Sequence, residues 1–267
     1  MEIGAHLAGL ELSASDPQAI AAFYASTFRL QVAARGDAFE CRAPGRALAF
    51  EPGAGGQLRR ATFRFARSED FERQRLRLRE RAVPLLEASD ERLTVSDPHG
   101  HLISFLPTSA QTDASPAARL QHFALRTPDP KTVAAFYTQT LGFVVSDRVF
   151  DAAGDLTAIF MRTDAEHHAM ALFRAAEVRF DHFSCEVKGW PDLRDWADHM
   201  ARVGVDLAWG VGRHGPGNDT FLMVRDMDGN MGEISSDLEV CAPDRPAGVW
   251  PHRPQTLNRW GVAIMRS

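Results

Sequence analysis

The 267-residue chain contains no long apolar run. No segment approaches the roughly 18 apolar residues that a transmembrane helix needs. The N-terminus also lacks a basic region followed by an apolar core, the pattern of a secretory signal. We therefore expect a cytoplasmic protein without a membrane partner. The net charge is −5 and no long basic run is present, which argues against nucleic acid as a partner.

Cysteine and tyrosine are scarce. The three cysteines, Cys41, Cys185 and Cys241, are odd in number and show no CxxC spacing, which argues against a disulfide framework and against a cysteine zinc site. The chain has only two tyrosines, Tyr24 and Tyr137. Both fall on one position of a repeated helix, where packing is the simplest role.

The most informative feature present is an internal repeat. Residues 6–30 read HLAGLELSASDPQAIAAFYASTFRL, and residues 119–143, which begin 113 positions later, read RLQHFALRTPDPKTVAAFYTQTLGF. Each copy opens with alternating apolar residues, typical of a strand with one buried face. It continues through Asp-Pro, a favoured helix start, into apolar residues spaced three and four apart. A repeat of this length indicates paired domains rather than a solenoid.

The remaining pattern predicts an α+β fold in which each half runs β-α-β-β and then β-α-β-β again, give or take a strand. The predicted boundaries are an N-terminal domain at 1–110, a linker at 111–118, a C-terminal domain at 119–240 and a tail at 241–267 that packs on the domains. The predicted strands are 37–42, 46–52, 61–66, 92–97 and 101–107, then 156–162, 168–174, 180–187, 220–225 and 231–235, with helices at 68–82 and 191–203.

Two histidines and one glutamate of the second half are candidate metal ligands. His122 and His182 hold matching places in the similar segments QHFALRT and DHFSCEV. Glu233 lies on the strand that follows a predicted hairpin turn at residues 228–229. Three strands of a curved sheet can direct two imidazoles and a carboxylate at one point. Such a set leaves positions open on a bound metal, as in non-haem Fe(II) oxygenases.

A single histidine in a strand is more often an ordinary core or surface residue than a ligand, so the repeat serves as an internal comparison. At the three corresponding places the first half has Gly9, a histidine-free stretch at residues 60–62, and Ser104. The three candidates are thus absent together from one half and present together in the other. One shared role explains this better than three unrelated ones.

These residues resemble the two-domain type I extradiol dioxygenases of the vicinal oxygen chelate superfamily, which includes the glyoxalases and bleomycin-resistance proteins. The resemblance covers nearly the whole chain and implies duplicated βαβββ modules, two to a domain, with a metal-free N-terminal domain. It implies that His122, His182 and Glu233 hold Fe(II), with Mn(II) as the alternative because the same ligands suit both. Family members open catecholic rings with O₂. The resemblance therefore implies a catechol-type substrate, O₂ as co-substrate and a homo-oligomer.

Two further motifs imply catalytic residues. The segment AEHHAMALF places His168 where the family has a histidine facing O₂, and GVGRHGPGND places His214 where the family has a second active-site histidine. The tail segment WPHRPQTLNRWG is similar to the closing segment of the family.

One position departs from the family. Counting back six residues from Gly229 gives Met223, where the family has a tyrosine that hydrogen-bonds the substrate. Loss of a polar anchor weakens orientation or changes the substrate. Arg225 is a candidate replacement contact to substrate. Asp219 is a candidate partner for an active-site histidine, with a plain turn residue as the equal alternative.

Two other readings keep the fold and change the function. One is a metal-dependent isomerase, thiol transferase or hydrolase of the same superfamily, although such enzymes usually present more carboxylate ligands. The other is a protein that binds a drug or metabolite between modules without chemistry, for which a set of three metal ligands has no use.

Overall fold

The computed structural model describes residues 2–109 and 117–265, and the two halves of this described chain each form one large sheet. The first sheet has eight strands in the order β2-β3-β4-β1-β5-β8-β7-β6, and the second has nine in the order β14-β15-β16-β13-β9-β12-β11-β10-β17. The predicted α+β class is confirmed. The predicted linker at 111–118 lies outside the described residues except for its last two positions.

The described first half contains eight strands and two helices. They are β1 (Ala5–Ala14), α1 (Pro17–Phe28), β2 (Gln31–Arg35), β3 (Ala38–Ala43), β4 (Arg46–Pro52), β5 (Gln57–Phe65), α2 (Ser68–Glu80), β6 (Glu87–Ala88), β7 (Leu93–Ser96) and β8 (Leu102–Leu106).

The second half repeats this order and adds the tail. Its elements are β9 (Ala118–Thr127), α3 (Pro130–Ala135) with a π-helical turn (Phe136–Leu141), β10 (Val144–Phe150), β11 (Leu156–Arg162), β12 (Met170–Arg174), β13 (Arg179–Val187), α4 (Trp190–Arg202), β14 (Trp209–Arg213), β15 (Thr220–Arg225), β16 (Met231–Ser236), β17 (Gly248–Pro251) and α5 (Pro254–Leu257).

The Asp-Pro pairs of the repeat start helices as the sequence predicts. The side chain of Asp16 accepts a hydrogen bond from the backbone N–H of Ala19 (3.0 Å), and Asp129 accepts one from Thr132 (2.9 Å). Each carboxylate thereby satisfies one of the N–H groups that a first helical turn leaves without a partner.

Five strands escaped prediction, and three of them lack the pattern of a core strand. All five residues of β2 are exposed, β6 has only two residues, and β14 contains two glycines. β10 is an interior strand, and β17 belongs to the tail, where it extends the second sheet by pairing in parallel with β10. The tail therefore completes the sheet as well as covering it.

The two tyrosines connect the two halves reciprocally. The hydroxyl of Tyr24 on α1 donates to Asp226 Oδ2 in the β15–β16 hairpin (3.0 Å), and that of Tyr137 donates to Asp97 Oδ2 in the β7–β8 hairpin (3.0 Å). Burial, and then the nearby carboxylate, raises the pKa of both phenols well above the usual value. The tyrosines thus bond as well as pack, each to the final hairpin of the opposite half.

Helix α1 also packs directly behind a strand of the second half. A Cβ added to Gly232 of β16 would lie 2.7 Å from Cε2 of Phe28 and 3.0 Å from Cε1 of Tyr24. The rings of both residues lie within 5.2 Å of the ring of Phe183, on the neighbouring strand β13. The glycine is needed for this close approach, and the first half thereby supports the strand that carries Glu233.

We expect Tyr24→Phe to lower the free energy of unfolding by about 1–2 kcal/mol, because buried Asp226 loses a hydrogen-bond donor while the ring packing is kept. Urea denaturation followed by circular dichroism measures the effect. Ser26→Ala removes an exposed hydroxyl from the same helix and should change stability by less than about 0.5 kcal/mol. Equal effects of the two substitutions would contradict the interlocking role.

Candidate metal centre

Three adjacent strands bring His122, His182 and Glu233 together. Ser184 on β13 is paired with His122 on β9 and with Glu233 on β16. The ligand atoms of the three side chains all lie within 4.8 Å of one another, and all three residues are buried. The grouping that the repeat predicted as a shared site is therefore a spatial cluster.

Each of the two histidines follows a β-bulge. Asp181 has no partner in the β9–β13 pairing, because Phe180 and His182 face the consecutive residues Leu125 and Ala124. Gln121 is skipped in the same way between His122 and Leu120. A bulge re-aims the side chains beside it. Here it turns each skipped side chain toward the imidazole that follows.

The skipped side chains fix the tautomers of both histidines. His182 Nδ1 donates to Asp181 Oδ1 (2.6 Å), and His122 Nδ1 donates to Gln121 Oε1. Gln121 is itself oriented because its Nε2 donates to the carbonyl oxygen of His168 (2.8 Å). Asp181 is oriented by Arg126, whose Nε donates to its Oδ2 (2.6 Å). With Nδ1 protonated, Nε2 of each neutral ring carries a lone pair.

These lone pairs meet at the candidate centre. Nε2 of His122 and Nε2 of His182 are 3.3 Å apart, and Glu233 Oε2 lies 3.9 Å from the latter. Burial, and then the neighbouring imidazoles of His182 and His214, hold the pKa of His122 well below its usual value, so this ring is neutral. Two nitrogen lone pairs and a carboxylate oxygen in a dry pocket form a donor set for a divalent cation. Fe(II), Mn(II) and Zn(II) all accept these ligands.

His168 stands at the end of a buried chain of polar groups. Its Nδ1 lies 3.0 Å from Nδ1 of His167, and Nε2 of His167 lies 3.1 Å from Asp147 Oδ2. The charge of the nearby carboxylate favours a proton on His167 Nε2, although this N–H is not aligned for a hydrogen bond, so His167 Nδ1 accepts from His168 Nδ1. Nε2 of His168 is then a proton acceptor, and its ring packs 4.2 Å from that of His122. Burial, followed by the surrounding imidazoles, keeps the pKa of His168 well below its usual value.

The C-terminal tail holds Asp147, which is at the far end of this series of polar groups. Asp147 Oδ2 accepts from Trp250 Nε1 (2.6 Å), and its Oδ1 accepts from the backbone of Gly248 and from Arg245 (3.1 Å each). Burial acts to raise the pKa of Asp147, but these donors and His167 hold it below the usual value. The carboxylate therefore stays ionised at neutral pH.

His214 reaches the centre from the loop after β14. Its Nδ1 donates to the carbonyl oxygen of Leu257 on α5 (2.6 Å), and its ring is stacked on Phe221 with centroids 3.8 Å apart. Nε2 lies 4.0 Å from Glu233 Oε2. The tail and the β15 strand together therefore hold this imidazole with Nε2 directed at the centre.

The three residues predicted to contact substrate lie at different positions relative to the cavity. Met223 is paired with Glu233 and lines the cavity in front of the histidines. Asp219 is buried beside His214 and Glu233, but its carboxyl oxygens form no hydrogen bond to a histidine within the described chain. Arg225 is exposed and is not among the residues that line the cavity. The proposed contact between Arg225 and substrate therefore has no support in this geometry.

The cavity in front of the centre is narrow and mostly apolar. It encloses about 20 Å³, room for roughly one water molecule. A ring-sized substrate enters only when side chains of the wall move apart. The described lining consists of His122, His168, His182 and His214 together with Phe160, Phe173, Trp209, Pro216, Met223, Thr256 and Leu257.

At the equivalent position in the first half lies an arginine instead of a metal-binding group. Thr62 is paired with Gly9 and with Ser104, as Ser184 is with His122 and Glu233. By this register Arg60 corresponds to His182. Its Nη1 donates to Ser104 Oγ (2.7 Å) and its Nε donates to Glu11 Oε2 (3.1 Å). A permanently charged guanidinium thus takes the place of a ligand.

The residues that orient the site were not predicted from the sequence. Gln121 and Asp181 each directly precede a ligand histidine, and this shared polar neighbour was the available signal. His167 is visible in the His-His pair, but its link to Asp147 joins residues 20 positions apart and has no local pattern. Trp209 and Leu257 read as ordinary apolar residues.

Comparison with known proteins finds a family model that matches part of the second half. Residues 119–234 match the model of the Glyoxalase/Bleomycin resistance protein/Dioxygenase superfamily. Metapyrocatechase 2 of Cupriavidus necator is 30% identical over 151 residues, which are 55% of this chain and 45% of that protein. The chain thus spans about half the length of the curated relatives it matches.

Two solved structures share the fold across almost the whole chain. A Mn(II)-bound glyoxalase from Novosphingobium aromaticivorans aligns with a TM-score of 0.79 at 20% identity, covering 98% of this chain and 92% of that one. An anaerobic complex of homoprotocatechuate 2,3-dioxygenase from Brevibacterium fuscum with 3,4-dihydroxyphenylacetate also aligns with a TM-score of 0.79, at 24% identity, covering 97% and 89%. Among the described helices, none has the length and apolar character to cross a bilayer.

We expect Asp181→Asn to weaken binding of Mn(II) or Fe(II) by about 10- to 100-fold, because a neutral amide orients His182 less firmly and makes it a poorer donor. Competition with a chelating dye under anaerobic conditions measures the dissociation constant. Asp37→Asn, at an exposed turn, is the matched control and should leave it unchanged. Equal metal affinity in both variants would show that Asp181 does not support the centre.

Asp219 supplies a separate prediction about pH. Burial raises the pKa of this carboxyl to about 7, above the value near 4 of an unfolded chain. The folded state therefore binds the extra proton between these values, so Asp219 destabilises the protein increasingly as pH rises from about 4 to 7. In metal-free protein, the free energy of unfolding of Asp219→Asn should equal that of the parent near pH 4. Above pH 8 it should exceed that of the parent by about 2–4 kcal/mol.

Thermal unfolding of the two proteins across this pH range tests the point, with Asp37→Asn again as the exposed control. A stability difference that is the same at every pH would contradict the raised pKa of Asp219.

Proposed function

We propose, for a chain whose residues 119–234 match the model of the Glyoxalase/Bleomycin resistance protein/Dioxygenase superfamily, that it is an extradiol dioxygenase cleaving a catecholic ring with O₂. The observation that supports this most is the geometry of His122, His182 and Glu233, whose ligand atoms lie within 4.8 Å of one another. Three protein ligands leave positions on a metal for two substrate oxygens and O₂. The metal is proposed to be Fe(II), with Mn(II) as the alternative.

The bound metal would supply acidity to the catechol hydroxyls and a route for electrons between substrate and O₂. His168 is suited to proton transfer, because its Nε2 is an acceptor and its other nitrogen is tied through His167 to ionised Asp147. His214 can accept a proton or hydrogen bond at Nε2 from a substrate hydroxyl. The two imidazoles thus present proton acceptors at the cavity.

The walls of the cavity have a role of their own. Phe160, Phe173, Trp209 and Leu257 exclude bulk water from the centre. A dry site strengthens every electrostatic interaction in it and protects reactive species from water. Met223 contributes no hydrogen bond where relatives of the resembled family have a phenol, so orientation of the substrate falls to His168 and His214.

A second function is favoured by two observations. The alignment with a Mn(II)-bound glyoxalase covers 98% of this chain, and Met223 removes the phenol expected of a ring-cleaving site. A metal-dependent isomerase or hydrolase of this superfamily would also use a divalent cation on these ligands. Such an enzyme would act without consuming O₂.

Oxygen consumption distinguishes the two. We expect protein reconstituted anaerobically with Fe(II) to take up O₂ when catechols are added and to form a yellow ring-opened product. His122→Ala should lose metal and at least about 1000-fold in rate, since the metal is the source of the chemistry. His199→Ala, on α4 and outside the cavity lining, is the histidine control and should retain both.

Two outcomes would contradict the proposal. One is a metal-loaded protein that binds catechols but consumes no O₂. The other is a His122→Ala variant that keeps full metal content and rate.

A further inference from the structure

Two apolar clusters enclose the candidate centre. One contains Phe160, Phe173 and Val149 with Trp250 packed against it, and lies on the side of β10–β12. The other contains Trp209, Phe221, Met223, Met231 and Leu257, with Ala263 and Ile264 of the tail packed against it. A molecule bound at the centre therefore meets hydrocarbon and aromatic side chains on both sides.

Positive charge is missing from this wall. Of the residues described, the cavity lining includes neither arginine nor lysine. Arginines of the adjoining strands are engaged elsewhere, since Arg126 donates to Asp181 (2.6 Å) and Arg174 donates to Asp151 (2.7 Å). Arg213, on β14, donates to Asn218 (3.1 Å). A carboxylate brought into this space would lose its hydration without gaining a cationic partner.

The polar groups that remain are already engaged. Thr256 Oγ1 donates to the carbonyl oxygen of Pro251 (2.6 Å), and the others belong to the ring-binding end. His122, His182 and Glu233 form the centre, while His168 and His214 present acceptor nitrogens to it. Acceptor nitrogens and the Glu233 carboxylate repel a second anion. A buried charge without a partner is strongly disfavoured, whereas an alkyl or aryl group is favoured by contact with the apolar wall.

Trp209 belongs to the second cluster and lines the cavity. It is 5% exposed, and its ring meets Phe221 (4.8 Å between centroids) and His214 (5.5 Å) edge-on. Its Nε1 donates to the carbonyl oxygen of Val262 in the tail (2.7 Å). That bond leaves the apolar surface of the indole, rather than its N–H, available to a ligand.

We propose that the substrate is a catechol bearing an uncharged apolar substituent, alkyl or aryl, and that Trp209 selects it against catechols bearing a carboxylate. This inference rests on the proposed function, since it assigns the substrate class of the same site. The substituent lies between the two apolar clusters, which separate to admit it.

The test uses matched pairs of substrates that differ in charge more than in shape. 3-Methylcatechol is compared with 2,3-dihydroxybenzoate, and the methyl ester of 3,4-dihydroxyphenylacetate with the free acid. Both kcat/KM of the Fe(II)-loaded protein and the dissociation constant under anaerobic conditions are measured. We expect the neutral member of each pair to be preferred by about 100-fold or more in both quantities.

Two variants test the role of Trp209. Trp209→Arg places a cation in the wall and should shift the preference toward the carboxylates by about 10-fold or more, because a paired carboxylate is no longer penalised. Trp209→Phe keeps the apolar surface and should keep the preference of the parent. Circular dichroism shows whether each variant folds. If Trp209→Arg does not fold, the comparison of substrates on the unaltered protein still tests the proposal.

The outcomes separate this inference from the function on which it rests. Equal or better binding and turnover of the carboxylated members would overturn the substrate class while leaving ring cleavage intact. Preferential binding of the neutral members without O₂ uptake would leave the subsite standing and overturn the dioxygenase. Failure of every catechol both to bind and to react would overturn both.

Discussion

Two nitrogen lone pairs facing each other across 3.3 Å are the constraint on which the site depends. Neutral imidazoles repel in this arrangement unless a cation lies between them, and a protonated ring is disfavoured because both are buried. The fold maintains the arrangement from behind, with Asp181 and Gln121 holding the Nδ1 protons. A cation that binds here meets ligands whose orientation has already been set, so little ordering remains to oppose binding.

The bulges that set this orientation do not depend on the metal ligands, because both halves contain them. In the first half Ala8 and Arg59 are the skipped residues of the β1–β5 pairing, at the places that Gln121 and Asp181 occupy in the second. The backbone device is thus common to the repeat, and the side chains decide its use. With Arg60 bonded to Ser104 and Glu11, the first half pairs this half-buried charge internally and presents no metal ligand at the place of His182.

The sequence was sufficient for the repeat and the fold class, because both depend on a pattern that the chain shows twice. It was sufficient for the grouping of His122, His182 and Glu233, because the two copies differ at these three places together. It was insufficient where a contact joins segments that are distant along the chain and occur once. Such contacts are the polar contacts from Asp147 through His167 to His168, and the hydrogen bonds of the tail to His214 and Trp209. Arg225 shows the limit of a local pattern: strand alternation permitted an inward contact, whereas the residue is exposed at the end of β15.

The first half supports the second mechanically, which explains why a half without ligands remains integral to the site. Glu233 follows Gly232 directly, and Phe28 and Tyr24 occupy the space that a side chain at Gly232 would need. Tyr24 also bonds Asp226 in the hairpin that leads into the same strand, and Asn230 bonds that aspartate from the other side of the turn. A shift of α1 therefore changes the position of β16, and with it the Glu233 carboxylate, relative to the two histidines on β9 and β13. Because a bound metal tolerates errors of only a few tenths of an ångström in ligand distance, the packing of α1 against β16 is part of what makes the centre competent.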